Sequence, residues 1–330
     1  MYALIRKLLF YLPPENAHYV ALEGLQLAHK LKLTRLCAKN SAPREVMGLQ
    51  FPNPIGLAAG LDKNGDYIEA LAALGFGFVE IGTVTPKPQA GNPQPRLFRL
   101  TKDEALINRL GFNNKGLDYV VENLKNTKYT GILGVNVGKN RDTPLEKAVD
   151  DYLLGFSRVA PYASYVTINI SSPNTQGLRD LQHGDLLSEL LRTLKQEQAR
   201  QKKYVPLVVK IAPDLTQEEL KKTAEILLAE NIDGVIATNT TLSREGLQTV
   251  EYANEVGGLS GKPVFASSTA VVKQLNHILQ NRIPIIACGG VFSAQDAAEK
   301  IAAGASLIQV YTGLIYRGPG LVSEIATSLQ

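Results

Sequence analysis

Eight short apolar segments, rich in β-branched residues, recur along this chain at 54–59, 77–82, 132–137, 166–170, 207–211, 234–237, 283–287 and 306–310. Each is too short and too evenly apolar for an amphipathic helix, and each suits a strand buried on both faces. Helical patterns at 67–74, 145–159, 218–229 and 294–303 separate several of them, with acids near their starts and Gly75 or Gly304 near their ends. Such alternation leaves a closed (β/α)8 TIM barrel or an open doubly wound sheet.

The residues at the strand ends separate the two. In order, the strands end in Ala59-Gly-Leu-Asp-Lys-Asn64, Gly82-Thr-Val-Thr85, Asn136-Val-Gly-Lys139, Asn169-Ile-Ser-Ser-Pro-Asn174, Lys210-Ile-Ala-Pro-Asp214, Thr238-Asn-Thr-Thr241, Cys288-Gly-Gly290 and Tyr311-Thr-Gly313. An open sheet concentrates polar groups at one switch point, whereas a barrel spreads them around one rim. The expected class is therefore α/β, a (β/α)8 barrel with a small N-terminal helical appendage. Long insertions at 85–130 and 241–280 are expected to cover or shape a site at that rim.

Charge divides the chain at the same place. The net +4 comes entirely from residues 1–40, which hold six Lys/Arg and two acids; the other 290 residues hold 29 of each sign. A balanced body argues against nucleic-acid binding. Cys37 and Cys288 lie far apart, so neither a disulfide framework nor a zinc knuckle is expected. Residues 1–12 are too short and too early charged for a secretory signal, and Pro13-Pro14 comes next without a small-residue cleavage site. A second helix-prone stretch, 16–36, spreads its leucines around more than one face. It either caps the barrel or lies on a membrane surface with its basic residues against anionic headgroups.

At the rim, the glycine turns after strands seven and eight suit an anion bound by backbone N–H groups. Lys210 reads as a Schiff-base nucleophile or as a fixed cation beside a ligand that becomes anionic. Lys63 suits a carboxylate-bearing substrate. His18, His29, His183 and His277 all fall outside the strand ends and lack metal-ligand spacing, although the loop after strand four could carry His183 to the site; no metal is expected. Ser172 is the best-placed oxygen for taking a proton, with Thr175 and water as a relay. No Gly-x-Ser-x-Gly elbow surrounds it, which counts against a hydrolase. The competing readings are a lysine-dependent aldolase or lyase and a non-catalytic membrane-surface module.

Six motifs in order, Ala59-Gly-Leu-Asp-Lys63, Glu80-Ile-Gly-Thr-Val-Thr-Pro86, Asn108-Arg-Leu-Gly-Phe-Asn-Asn114, Asn169-Ile-Ser-Ser-Pro-Asn174, Lys210-Ile-Ala-Pro-Asp214 and Ala237-Thr-Asn-Thr240, closely resemble the dihydroorotate dehydrogenases of class 2, the quinone-using type. The resemblance implies a barrel that holds FMN and oxidises dihydroorotate to orotate in pyrimidine synthesis. It places Ala59, Gly60, Leu61, Asp62, Lys63, Thr83, Asn136, Asn169, Lys210, Thr238, Gly261, Gly290, Tyr311 and Thr312 at the flavin. It places Lys63, Asn108, Arg109, Leu110, Gly111, Phe112, Asn169, Asn174, Asn239 and Thr240 at the substrate. Ser172, where class 1 has Cys, would take the C5 proton as hydride leaves C6 for the flavin, and Lys210 would stabilise the charge that accumulates. His18, Arg99 and Tyr311 would line the site of a ubiquinone or menaquinone. The implied organisation is a quinone-access and membrane-associating segment at 1–40 and a catalytic barrel at 41–330. The expected setting is a monomer at the cytoplasmic face of a bacterial inner membrane.

Overall fold

The computed structural model describes residues 2–36, 41–249 and 251–330. Cys37 and Lys39, two residues of the basic N-terminal stretch, lie outside the described residues. The eight expected strands are present as β1 (Ile55–Leu57), β2 (Phe78–Val84), β3 (Ile132–Val137), β4 (Tyr165–Asn169), β5 (Leu207–Ile211), β6 (Gly234–Ala237), β7 (Ile285–Cys288) and β8 (Leu307–Val310). All neighbours pair in parallel, and β8 returns to β1 through Ile308↔Ile55, which closes the barrel.

Period-two alternation explains the layering. Val79 and Ile81 of β2, Val166 and Ile168 of β4, and Val209 and Ile211 of β5 belong to the apolar layer shared with the helices. The alternate residues Phe78, Tyr165, Val208, Ile236, Ile286 and Leu307 form a separate apolar plug. A hairpin of Arg44–Val46 and Leu49–Phe51 adds Val46 and Phe51 to that plug. Further along the same inward positions, the side chains turn polar: Glu80, Asn136, Thr167, Lys210 and Gln309 are all buried.

Both insertions are shorter than expected, because each ends in a helix that packs on the barrel. Leu117–Asn126 buries Leu117, Val120, Val121 and Leu124, and Phe265–Leu279 buries Val271, Val272, Leu275 and Leu279. What remains of the two insertions meets in one antiparallel sheet, Leu97–Leu100, Ala105–Asn108 and Gly258–Gly261.

The appendage consists of α1 (Tyr2–Phe10) and α2 (Pro14–Lys30), with a short turn of helix beyond them at Leu33–Leu36. Helix α2 ends earlier than the 16–36 pattern predicts. Helix α1 buries none of its residues, and Leu4, Ile5, Leu8, Tyr11, Tyr19, Val20, Leu27 and Leu31 remain exposed. Contacts that pin α1 include Tyr2 Oη donating to Ile315 O at 2.6 Å, Arg6 donating to Tyr316 O at 2.6 Å, and Phe10 meeting the Tyr316 ring edge-on. No described helix is long and apolar enough to cross a membrane.

Candidate active site

The inward polar layer is one connected network built on Glu80. Its carboxylate accepts from Asn136 Nδ2 (2.8 Å), Tyr165 Oη (2.9 Å), Thr167 Oγ1 (3.1 Å) and Gln309 Nε2 (2.8 Å). Four donors satisfy a carboxylate buried where no water reaches it. The network climbs from there. Asn136 Oδ1 accepts from Thr83 Oγ1 (2.6 Å) and Asn169 Nδ2 (3.2 Å), and Asn169 Oδ1 accepts from Asn239 Nδ2 (3.3 Å). Each amide orientation is therefore set by its neighbour below.

Above the network opens a cleft of about 1040 Å³, its open mouth included. Ala59, Gly60, Lys63, Thr83, Asn108, Leu110, Gly111, Phe112, Asn169, Ser172, Asn174, Lys210, Thr238, Asn239, Thr240, Gly261, Gly290, Tyr311 and Thr312 all line it. The lining contains two lysines and no carboxylate among the described residues, so it favours anionic and amide-bearing ligands. Lys210 Nζ makes no hydrogen bond or ion pair within the described chain, and it faces the cleft.

Ser172 sits on a loop held from several sides. Arg179 donates to Ser171 O (3.1 Å) and Thr240 O (3.1 Å) and pairs with Asp214 (2.7 Å), tying together the loops after β4, β5 and β6. Ser172 Oγ is buried and accepts from Asn174 N–H at 3.3 Å. Asn174 in turn donates to Asn108 Oδ1 at 3.2 Å, joining this loop to the insertion sheet. Thr175 is buried but makes no hydrogen bond to Ser172, so a relay between them needs a water. His183 is exposed near Glu219 and does not reach the cleft.

Four of the residues expected at the flavin or the substrate do not reach the cleft wall. Asn136 lies beneath Thr83 and acts through it. Leu61 packs in the core, and Asp62 caps its own loop by accepting from the N–H groups of Asn64, Gly65, Asp66 and Tyr67. Arg109 turns away from the cleft to pair with Glu255 (2.5 Å) over the Phe98 ring, since strand alternation points Asn108 inward and its neighbour outward. Of the expected quinone set, only Tyr311 lines the cleft, and burial pushes its hydroxyl up to about 12. Arg99 lies over the Phe10 ring at 4.0 Å and donates to Phe10 O, beneath α1. His18 lies outside the cleft lining but within electrostatic reach of Lys63; burial and then that charge push it down to about 3, so it is neutral.

Helix α2 is tied to the first insertion by an ion pair. Glu15 accepts from Arg96 Nη2 (2.7 Å) and Nε (3.1 Å). Burial pushes the Lys63 ammonium down to about 8; Glu15 and Asp62 oppose that shift and Arg96 adds to it.

Sequence reading gave no site role to Glu80, Ser260, Cys288 or Gln309. Gln309 Oε1 is buried at the cleft without a partner, and Ser260 Oγ lies 2.9 Å from Thr312 Oγ1. The available signal was a lone polar residue at an inward position of an apolar strand, as in Phe78-Val-Glu-Ile81 and Leu307-Ile-Gln-Val310.

The turn after β7 closes one end. Gly290 has φ +75°, and a Cβ there would lie 2.4 Å from Phe265 Cα. Gly290→Ala is expected to destabilise the fold by about 1–3 kcal/mol and to weaken binding of any phosphate-bearing ligand; a melting temperature equal to the parent's would refute this.

Residues 41–330 match the sequence profile of the dihydroorotate dehydrogenase family. The dihydroorotate dehydrogenase (quinone) of Nitrosospira multiformis is 58% identical over 333 residues, covering 100% of this chain and 96% of its own. This chain belongs to the dihydroorotate dehydrogenase family. Another quinone-type dihydroorotate dehydrogenase, from Acinetobacter baylyi, is 55% identical, with 100% and 99% covered, and the chain falls in that quinone-dependent class. The crystal structure of the Eimeria tenella dihydroorotate dehydrogenase in complex with ferulenol aligns at TM-score 0.86 and 40% identity, covering 96% of this chain and 90% of that one. Membership removes the aldolase reading of Lys210 and the reading of a non-catalytic module.

Proposed function

We propose that this chain, a quinone-dependent dihydroorotate dehydrogenase that oxidises dihydroorotate to orotate, does so with Ser172 as the base, FMN in the cleft and its quinone acceptor drawn from a membrane. The observation that carries this is one cleft gathering Ser172, four asparagines (Asn108, Asn169, Asn174 and Asn239), two lysines and the glycine turns after β7 and β8. Dihydroorotate presents amides, carbonyls and a carboxylate, and asparagine side chains both donate and accept.

The residues present fit FMN. Gln309 Oε1 offers a buried acceptor without a partner, and the turns at Gly289-Gly290 and Thr312-Gly313 offer backbone N–H groups to a phosphate. Ala59, Gly60, Thr83, Asn169, Lys210, Thr238, Gly261, Gly290, Tyr311 and Thr312 would hold it. FMN, when bound, supplies the hydride acceptor and the path of electrons onward to quinone. Asn108, Asn174, Asn239 and Thr240 orient the substrate ring, while Lys63 holds its carboxylate. Ser172 Oγ takes the C5 proton. Its own proton has no protein acceptor among the described residues, so it leaves to water, with buried Thr175 three residues further along the same loop. Lys210 faces the cleft where negative charge develops.

Residues 1–40 form the membrane-associating and quinone-access segment, and residues 41–330 the catalytic barrel. The exposed leucines of α1 and α2 and the positive charge of residues 1–40 suit an interfacial position. His18, Arg99 and Tyr311 border the quinone route, and the chain works as a monomer on the cytoplasmic face of a bacterial inner membrane. An absorption spectrum of the purified protein tests the central reading: flavin bands should bleach with dihydroorotate and return with quinone. A colourless protein, or bands indifferent to dihydroorotate, would overturn it.

Lys63 adds a pH dependence. Its ammonium is fully charged well below about 8 and is lost as pH rises through that value. KM for dihydroorotate should therefore rise about tenfold between pH 7 and 9. Lys63→Met should raise KM at pH 7 and flatten the profile; a sloping profile in that variant would assign the titration elsewhere.

A further inference from the structure

One end of the cleft is walled by Gly261, Val264, Gly289, Gly290, Thr312 and Gly313, and none of these side chains is charged. Directly behind that wall lies Lys300, fully buried. Its ammonium donates to Ser268 Oγ at 2.6 Å and approaches Phe265 O at 3.4 Å, and no carboxylate lies within ion-pair distance among the described residues. Ser268 Oγ is itself 3.1 Å from Gly289 O, so one hydroxyl separates the cation from the glycine turn. The Phe265 ring lies 4.9 Å from the ammonium. An unpaired interior ammonium is costly, and a methionine would fill the same space without that cost.

We propose that Lys300 is a positioning residue for a phosphate group at the Gly289–Gly290 turn, a positive charge held behind the backbone that receives the anion. The proposal rests on the reading that the cleft holds a flavin phosphate. A phosphate dianion at the turn offsets the cost of charging Lys300, and the charged lysine strengthens phosphate binding in return. Burial pushes the free ammonium down to about 7, while Cys288 on β7 and Asp296 and Glu299 on its own helix raise it. Lys210 reaches Cys288 from the cleft side, and helix Phe265–Leu279 faces Lys300 with Ser268 and Phe265. Below pH 7 Lys300 is already mostly protonated. At pH 8 it is mostly neutral until the anion arrives, so phosphate binding then takes up a proton.

The test titrates the full chain, freed of bound flavin, with FMN and with riboflavin by calorimetry at pH 8, in buffers of different ionisation enthalpy. FMN should bind with uptake of close to one proton beyond that seen with riboflavin. Lys63 contributes equally to both ligands and cancels. In Lys300→Met the preference for FMN over riboflavin should fall by about tenfold or more, with riboflavin affinity unchanged and the extra proton gone. Equal proton counts for the two ligands in the parent protein would overturn the proposal, and this measurement decides the matter even if the variant does not fold. An undiminished FMN preference in a folded Lys300→Met protein would overturn it as well. A parent protein that binds neither flavin would instead sink the cofactor reading on which the proposal rests.

Discussion

Replacing Ser172 with alanine should leave flavin absorbance and melting temperature close to the parent's and slow bleaching by dihydroorotate about 10²- to 10⁴-fold. The selectivity has a local cause. Ser172 Oγ accepts one weak hydrogen bond, from Asn174 N–H at 3.3 Å, and supports nothing else in the fold. The loop around it is held by Arg179 and by Asn174, neither of which needs the hydroxyl. Among the described residues no histidine or carboxylate lines the cleft to substitute as a base. Stopped-flow reduction under anaerobic conditions reads the step directly. A Ser172→Cys variant separates base strength from geometry: a thiol in the same place should recover part of the rate as pH rises toward the thiol's own range. Bleaching by Ser172→Ala at the parent rate would remove Ser172 from the chemistry and leave the network above Glu80 in need of another proton acceptor.

The eight strands could be read from sequence because each carries an outward apolar row that must meet helices, as at Val79 and Ile81 or Val209 and Ile211. Their polar ends marked the rim for the same reason: side chains there leave the packed layers and face the cleft. The inner layer escaped notice because a barrel strand buries both faces, and Glu80, Thr167 and Gln309 then interrupt a continuous apolar run one residue at a time. Only closure of the barrel brings these three side chains together. The hairpin that carries Val46 and Phe51 into the plug was equally silent, since three-residue strands give almost no periodic signal. Arg109 shows a different limit. It stands between Asn108 and Leu110, which both line the cleft, yet alternation along the chain sends it outward to Glu255.

Removing residues 1–40 should lower turnover with a long-tailed quinone in lipid vesicles by about tenfold or more, the equivalent of losing roughly 1.4 kcal/mol, while flavin bleaching by dihydroorotate at pH 7 changes far less. The asymmetry has a structural basis. Helix α1 buries none of its residues, so its leucines stabilise little in the barrel and are free to meet lipid. Helix α2 is more closely tied to the site, because Glu15 neutralises Arg96 and favours the charged form of Lys63. Loss of Glu15 therefore moves the Lys63 titration to lower pH, and the two half-reactions must be compared where Lys63 is still mostly charged. A milder change avoids that coupling: Leu4→Ser with Leu8→Ser alters two exposed side chains on α1 and leaves Glu15, His18 and Arg99 in place. This double variant should reproduce the loss of vesicle binding and of quinone turnover with unaltered dihydroorotate KM. Equal survival of both half-reactions in the truncated protein, or vesicle binding undiminished by the two serines, would return α1 and α2 to the role of a packing cap.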